Sequence, residues 1–484
     1  MSAGQSQPVS LGPFKPVDER MIREQERISL SERKRNYLKA FSDHYCRKNR
    51  RSKEHARLYR PVYADQRALA FFHLSLKELC FPLVFQRARG SRLWDLDGNE
   101  YTDIAMDFGI GLFGHQPSFL KEALDKQLED GWAMSMRPEK SARAAELLCR
   151  LTRLERAVFS QSGTEAVMTA VRLARHVTKR KKIVMFTNSY HGHSDGLLAF
   201  NMRMGNKNVT KPITDGTPPG MVEEVVILEY GAPQALEVIQ SLKNELAAVL
   251  VEPVQSRGIR VQPGEFLREL RQITEESGIA LIFDEMITGF RAAPGGAQEY
   301  FNVQPDLATF GKILGGGLSL GAVAGKANYL DAIDGGPWDY EDASYPKVER
   351  TFFAGTHCQN TLAMTAAYTL LKTLTDLGPQ LQKNLNQTCA AMCERINGFL
   401  AGERLPFRVF HFASLFRFEP VERMNPLDQN LFLYHLRDNG IMVSEVGNNF
   451  LSTAHTPDEV ERIIQAVERS VSAMKSGGYF ETTK

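Results

Sequence analysis

Five short runs of unbroken apolar sequence lie between residues 157 and 283: Ala157-Val158-Phe159-Ser160, Lys182-Ile183-Val184-Met185-Phe186, Val225-Val226-Ile227-Leu228, Ala248-Val249-Leu250-Val251 and Ala280-Leu281-Ile282-Phe283. A strand with one face in water alternates apolar and polar residues. Continuous apolarity therefore predicts strands covered on both faces, as in a parallel sheet. Helical stretches separate the runs, among them Thr164 to Val177 and Glu265 to Ser277, the latter closed by Gly278. Alternation of this kind predicts a three-layer α/β domain with a mostly parallel sheet over residues 132–365.

The flanks read differently. Leu83-Val84-Phe85 and Arg92-Leu93-Trp94-Asp95-Leu96, with Asp97-Gly98 as a turn signal, predict a hairpin. Ser118 to Asp130 predicts a helix with Leu120, Leu124 and Leu128 on one face and Gly131 closing it. Residues 83–131 are assigned to a small domain completed by 366–484, an α+β segment that begins with helical Leu362–Leu377 and Gln380–Leu400. Residues 1–82 form a helical extension. In it, 1–17 are loose and rich in Pro, Gly and Ser. Ser29-Leu30-Ser31-Glu32 fits a capping box, and Tyr37, Leu38, Phe41 and Tyr45 follow at helical spacing.

With 484 residues, 43% of them hydrophobic, the chain has material for a large core and none of the bias of disordered or fibrous sequence. No stretch approaches the roughly 20 apolar residues of a membrane-spanning helix, and no secretory signal opens the sequence. The six cysteines lack metal-type pairing, and Cys389 and Cys393 are spaced along one helix face. They read as free thiols in a reducing cytoplasm. The net charge of +2 conceals an asymmetry, because residues 1–60 carry 15 basic and 7 acidic side chains. Arg47 to Lys53 holds five cations and no anion. That strip is either a docking site for an acidic partner or, as the plainer reading has it, a solvated helix end. No nucleic-acid motif accompanies it.

Four motifs fall at the C-terminal ends of the expected strands, where ligands of α/β sheets gather. Ser162-Gly163-Thr164 follows one strand and opens a helix, so backbone N–H groups, two hydroxyls and a helix N-terminus converge on an anion. An ordinary helix cap would look the same. Asp284 ends another strand, where a carboxylate must meet a cation; a protonated ring nitrogen or a buried Arg or Lys would serve. Lys312, flanked by Gly311 and an apolar run, is badly placed for solvation, and burial lowers an amine's pKa as imine formation requires. Tyr190 offers a face on which a planar ring could stack. His191 and His193 invite a metal reading, but no third ligand is spaced for it, and no metal is expected. Together the four describe a pyridoxal 5′-phosphate site.

These residues resemble the class III (ω-type) aminotransferases, pyridoxal phosphate enzymes of fold type I. Ser162-Gly163-Thr164-Glu165-Ala166, Tyr190-His191-Gly192, Glu252-Pro253-Val254, Asp284-Glu285-Met286-Ile287-Thr288-Gly289-Phe290-Arg291 and Gly311-Lys312 match in order and spacing over most of residues 83–475. The resemblance implies that Lys312 carries the cofactor covalently and that Asp284 faces its ring nitrogen. It also implies that Ser162, Gly163 and Thr164 hold the phosphate, that Tyr190 and Met286 sandwich the ring, and that His191 lies in the cofactor site. Thr356 matches a threonine that reaches the neighbouring subunit's phosphate, which implies a homodimer with sites at the subunit interface. Phe290-Arg291 and Ile287 look like glutamate-1-semialdehyde aminomutase. Glu252-Pro253-Val254-Gln255-Ser256-Arg257, Phe108 to His115 and Phe450 to Thr456 look more like aminotransferase domains of polyketide and non-ribosomal peptide assembly lines. An amino acid donor, a 3-oxoacyl acceptor and an acyl carrier protein as partner follow from that likeness. Many relatives have a glutamate where this chain has Arg257, and a C-terminal arginine that Phe450 to Thr456 lacks, so Arg257 and Glu252 are the candidate substrate residues.

Overall fold

The computed structural model describes residues 30–132, 137–204 and 207–480. At its centre is a seven-stranded sheet. Across it the strands run Arg156–Ser160, Gly321–Gly325, Leu307–Phe310, Ala280–Asp284, Leu246–Val251, Lys182–Phe186 and Val225–Leu228. Gly321–Gly325 is antiparallel to both its neighbours, and the other described pairings are parallel. All five predicted runs are strands of this sheet. Leu246–Val251 and Ala280–Asp284 are buried at every residue, as continuous apolarity requires. Helices Gly163–Thr178 and Gly264–Ser277 coincide with the expected ones, and Gly278 closes the second in the left-handed region at φ 61°.

Two strands escaped the sequence reading, Leu307–Phe310 and Gly321–Gly325. The second is built of small residues for a steric reason. A Cβ on Gly321 would lie 2.2 Å from the Ser162 carbonyl oxygen, so the strand passes directly under the loop that opens helix Gly163–Thr178.

The hairpin expected around Asp97-Gly98 joins Arg92–Asp95 to Glu100–Asp103. The latter also pairs in parallel with Ile441–Met442, bringing the two ends of the chain into one four-stranded sheet. Helix Ser118–Asp130 has the predicted bounds, but its leucine face is not uniformly covered. Leu120 is buried, whereas Leu128 is 50% exposed. With Leu124, Ile110 and Phe113 they line an open cavity of about 400 Å³. The six cysteines are free.

The amphipathic helix read at the N-terminus spans Glu32–Lys48 and docks on helix Pro426–Asp438. Phe41 stacks on His435 at 4.0 Å between ring centroids, Tyr45 meets Tyr434 edge-on at 5.6 Å, and the Tyr37 hydroxyl lies 3.1 Å from His435 Nε2. The helix is capped by Ser31, whose Oγ accepts from Lys34 N; Ser29, on which the expected capping box falls, and the stretch 1–17 lie outside the described residues. The basic strip is largely committed within the chain. Lys48 donates to the Asp438 carbonyl at 2.5 Å, Lys53 pairs with Glu78 at 2.6 Å, and Arg51 is held by the Leu96 carbonyl and Asp97. Its plainer reading, a helix end, fits this geometry.

Candidate active site

The parallel strands deliver their C-terminal ends to one place. A cavity of about 190 Å³ there is lined by Ser162, Gly163 and Thr164, by Tyr190 and His191, and by Glu252, Ser256, Asp284, Met286, Ile287 and Lys312. Each group comes from the residues just past a different strand, so the sheet itself sets their separation.

Ser162 caps helix Gly163–Thr178, its Oγ accepting from Glu165 N at 3.3 Å. First-turn N–H groups have no acceptor inside a helix, and Gly163 and Thr164 turn toward the cavity, leaving an anion cradle with the helix dipole behind it. Space explains the glycines. Met286 Sδ would lie 2.7 Å from a Cβ on either Gly163 or Gly311, so its thioether is wedged between the cradle and the lysine loop. At Gly192 the φ of 85° and a Cβ contact of 2.5 Å with Thr164 Oγ1 exclude any side chain.

Asp284 is 4% exposed. Its Oδ2 lies 2.7 Å from His191 Nδ1, and its Oδ1 accepts from Met286 N at 3.1 Å and from Thr309 Oγ1 at 3.4 Å. A carboxylate offers about four acceptor positions, so one remains for a cationic N–H in the cavity. Buried His191 Nε2 has no hydrogen-bond partner among the described residues. Glu252 is also buried, and its oxygens accept from Tyr190 N at 3.0 Å and Ser256 N at 3.1 Å. It braces the loops that carry Tyr190 and Ser256, and of its roughly four acceptor positions two remain. Burial raises its pKa, with His191 opposing. One residue on, Glu285 faces away and accepts from Ala297 N at 2.9 Å, Gln298 N at 2.8 Å and the Thr288 hydroxyl; burial pushes its pKa up to about 7.

Lys312 reaches the cavity from a left-handed backbone, φ 44°. Such a conformation costs a residue with a side chain about 1 kcal/mol or more and concentrates at functional sites. Burial lowers the pKa of its amine, and the carboxylates of Asp284 and Glu252 pull the other way. Burial is the larger of the two effects, so the ammonium form is disfavoured relative to a lysine in water.

Tyr190 is 48% exposed at the cavity mouth, and the Arg257 guanidinium lies 5.0 Å over its ring. Arg257 itself stands in solvent on the loop after Glu252, with no ion pair among the described residues. Thr356 is exposed and does not line this chain's own cavity; its neighbour Gly355 abuts Gln161. Ser256, Val254 and Val167 line the cavity and were not singled out as site residues by sequence. Buried Arg291, at the end of the Asp284 motif, donates to the Gly109 carbonyl and to Ser414 Oγ at 2.8 Å and lies over the Phe450 ring at 4.8 Å. It ties Gly109 and Ser414 to the strand-end loop with no acidic partner among the described residues, and burial lowers its pKa to about 9.

A buried lysine amine, a buried acid with a spare acceptor position, an anion cradle, and Tyr190 and Met286 on the walls of one cavity fit pyridoxal 5′-phosphate, and the protein is a pyridoxal phosphate-dependent transferase of fold type I. The chain belongs to the class-III aminotransferase family, whose sequence pattern matches residues 75–460. It is 36% identical over 404 residues to a glutamate-1-semialdehyde 2,1-aminomutase of Bacillus subtilis, covering 80% of this chain and 90% of that one. It is 32% identical over 409 residues to the enzyme of the same name from Methanosphaera stadtmanae, covering 81% and 92%. Among solved structures, an omega-transaminase from Sphaerobacter thermophilus superposes with a TM-score of 0.77 at 29% identity, covering 88% of this chain and 98% of that one. Among the described residues no helix is long and apolar enough to cross a membrane.

Proposed function

We propose that this aminotransferase moves an amino group from an amino acid donor to the ketone or aldehyde of an acyl intermediate of the polyketide type, probed most directly as a 3-oxoacyl thioester. The observation that carries the reading is Ser256-Arg257: a hydroxyl-bearing residue on the cavity wall, then an unpaired guanidinium at its mouth. An arginine there can hold a carboxylate, carbonyl or phosphate through two parallel N–H groups. The names of the relatives support a second reading better than this one: a glutamate-1-semialdehyde-type aminomutase or ω-aminotransferase acting on a small free aldehyde or keto acid. Turnover of carrier-tethered and free acceptors, compared in one assay with product mass, decides between them. Amination of free small aldehydes alone would remove the first reading.

When bound, the cofactor supplies an electron sink for the carbanion at the substrate Cα. The residues supply the rest. Lys312, whose buried amine is disfavoured as a cation, would carry the cofactor and move the proton at the substrate Cα. Asp284, steadied by His191 and Thr309, would face the ring nitrogen and favour its protonated form. Gly163 and Thr164 would hold the phosphate, and Met286 and Tyr190 would flank the ring.

The active unit in this reading is a homodimer. Trp338, Tyr340, Tyr345 and Phe352 are exposed large aromatics in the segment leading to Thr356, a surface that a second copy would cover. A monomeric mass in solution at working concentration would exclude it.

A further inference from the structure

A second cavity, of about 240 Å³, opens in the C-terminal part of the molecule. It lies between the hairpin Phe407–Phe412/Leu415–Pro420 and helix Pro426–Asp438. Phe407, Phe418, Phe432, Phe71 and Met424 make it apolar, with Arg417 among its lining residues. Nothing in the chemistry above uses it. Concave, aromatic-lined space with a few placed polar groups is the usual character of a ligand site.

Its position relates it to the active site. Arg417 Nη1 donates to the Ser256 carbonyl at 3.1 Å and to the Val446 carbonyl at 3.2 Å. Ser256 lines the catalytic cavity and Val446 lines this one, so the Arg417 guanidinium ties a wall residue of one space to a wall residue of the other. The loop from Ser256 onward spans the same gap at the surface. Arg257 stands at the catalytic mouth, and three residues later Arg260 donates to the carbonyl of Pro420, on the lining of the second cavity, at 2.5 Å. Val446 is 57% exposed, so the second cavity is reached from solvent beside that loop. The charges in its walls are matched inside the protein: Arg417 pairs with Glu419 at 3.0 Å, and Glu445 faces Arg437 at 3.5 Å. Gln429, Asn430 and Asn449 add amides to the wall, so the cavity presents hydrocarbon and aromatic surface edged with neutral polar groups.

We propose that this cavity is the acyl subsite of the enzyme: the acceptor's carbonyl carbon enters the catalytic cavity while its unbranched aliphatic chain passes Arg257 and Arg417 and lies among Phe407, Phe418 and Phe432. The inference rests on the acyl reading of the acceptor and extends it, since it assigns the chain a place and predicts a preference for length.

The test uses the full-length holoenzyme, charged with amino groups by its donor. It is given a series of 3-oxoacyl N-acetylcysteamine thioesters whose alkyl chains lengthen two carbons at a time. Wild type should show kcat/KM rising roughly threefold per added methylene until the cavity is full. Val446→Trp, a change at an exposed rim position outside the catalytic machinery, should flatten that rise and leave the shortest thioester unaffected. Phe418→Ala, which enlarges the cavity, should move the optimum to longer chains. Equal slopes in wild type and Val446→Trp, or amination of every thioester with no dependence on length, would overturn the subsite and leave the acyl reading standing. Failure to aminate any thioester, with small free aldehydes still aminated, would overturn the acyl reading and the subsite with it.

Discussion

Asp284 and Arg257 serve the same cavity from surroundings that share almost nothing. Asp284 ends a strand buried at every residue, is 4% exposed, and has both oxygens engaged by His191, Met286 and Thr309. Arg257 stands in solvent on a loop, with the ring of Tyr190 as its neighbour. The deep wall is over-determined: Met286 fills the space between two glycines, Lys312 is held at φ 44°, and a strand of small residues passes beneath the cradle. The outer wall is assembled from loops, where a side chain can change without disturbing a packed layer. Chemistry is thus fixed by the sheet, and substrate choice is left to the loops. If that division is right, substitutions on the two walls must fail in different ways.

The largest effect belongs to the deep wall. Lys312→Ala should lower kcat by at least about 10⁴-fold, since nucleophile and proton carrier are lost together. Borohydride-treated wild type should carry the cofactor mass on the peptide containing residue 312, and the variant should not. An adduct at another lysine would break the assignment outright. Asp284→Asn comes next. It keeps the shape and removes the charge, so the donor half-reaction should slow about 10²- to 10³-fold while the cofactor stays bound through gel filtration. Wild-type turnover in that variant would show that the acid does not govern the ring nitrogen.

A third effect reads the deep wall through stability. Burial holds Glu285 at about 7 in the folded protein, against about 4.3 in an unfolded chain. Its folded pKa is raised, so its contribution to stability is full below the unfolded value and is lost as pH rises through 7. Between pH 5 and pH 8 the wild type should lose about 2 kcal/mol relative to Glu285→Gln, measured as the gap between their urea unfolding curves with cofactor in excess. A constant gap would mean that the carboxyl is ionised in the folded state throughout.

The same contrast governs what could be read without coordinates. The sheet was legible because burial on both faces leaves an unbroken apolar signature, and the motifs at Ser162, Tyr190 and Asp284 were legible because each lies at the end of such a run; Lys312 was read from its own flanks, since the strand before it was missed. Strand Gly321–Gly325 was hidden by its own function, since the close approach of the Ser162 carbonyl forces small residues where a propensity argument looks for Val and Ile. The pairing of His191 with Asp284 joins residues 93 apart, and only the fold brings them to 2.7 Å. The family resemblance placed His191 in the cofactor site, but nothing in the sequence indicated that its partner there is Asp284. Glu252 shows the converse: its place in the site was visible, while its engagement by two backbone N–H groups, which makes it a brace, was not. In the extension, Leu38, Phe41 and Tyr45 announced a buried face, but the partner helix lies nearly 400 residues away. Once helix Glu32–Lys48 sits on helix Pro426–Asp438, Lys48 and Lys53 turn from a cationic strip into intrachain ties.

The smallest effect is the one that most sharpens the division. Arg257→Ala removes a guanidinium with no ion pair among the described residues, so neither folding nor cofactor retention should change; the stacking on Tyr190 is worth about 1 kcal/mol or less at an exposed site. If Arg257 meets a carboxylate, carbonyl or phosphate of donor or acceptor, kcat/KM for that partner alone should fall about tenfold, mostly through KM, because the contact is made equally before and during the chemistry. Arg257→Lys should recover part of the loss, as a point charge without the planar fork does. The half-reactions separate the partners: a donor contact slows the bleaching of the cofactor's visible band, and an acceptor contact slows its return. Kinetics untouched in both directions would leave Arg257 as a cover for Tyr190 and move the search for the substrate's anchor to Ser256. A fall in kcat with KM unchanged would be the more damaging result, because the outer wall would then be part of the chemistry and the two walls would not be separable.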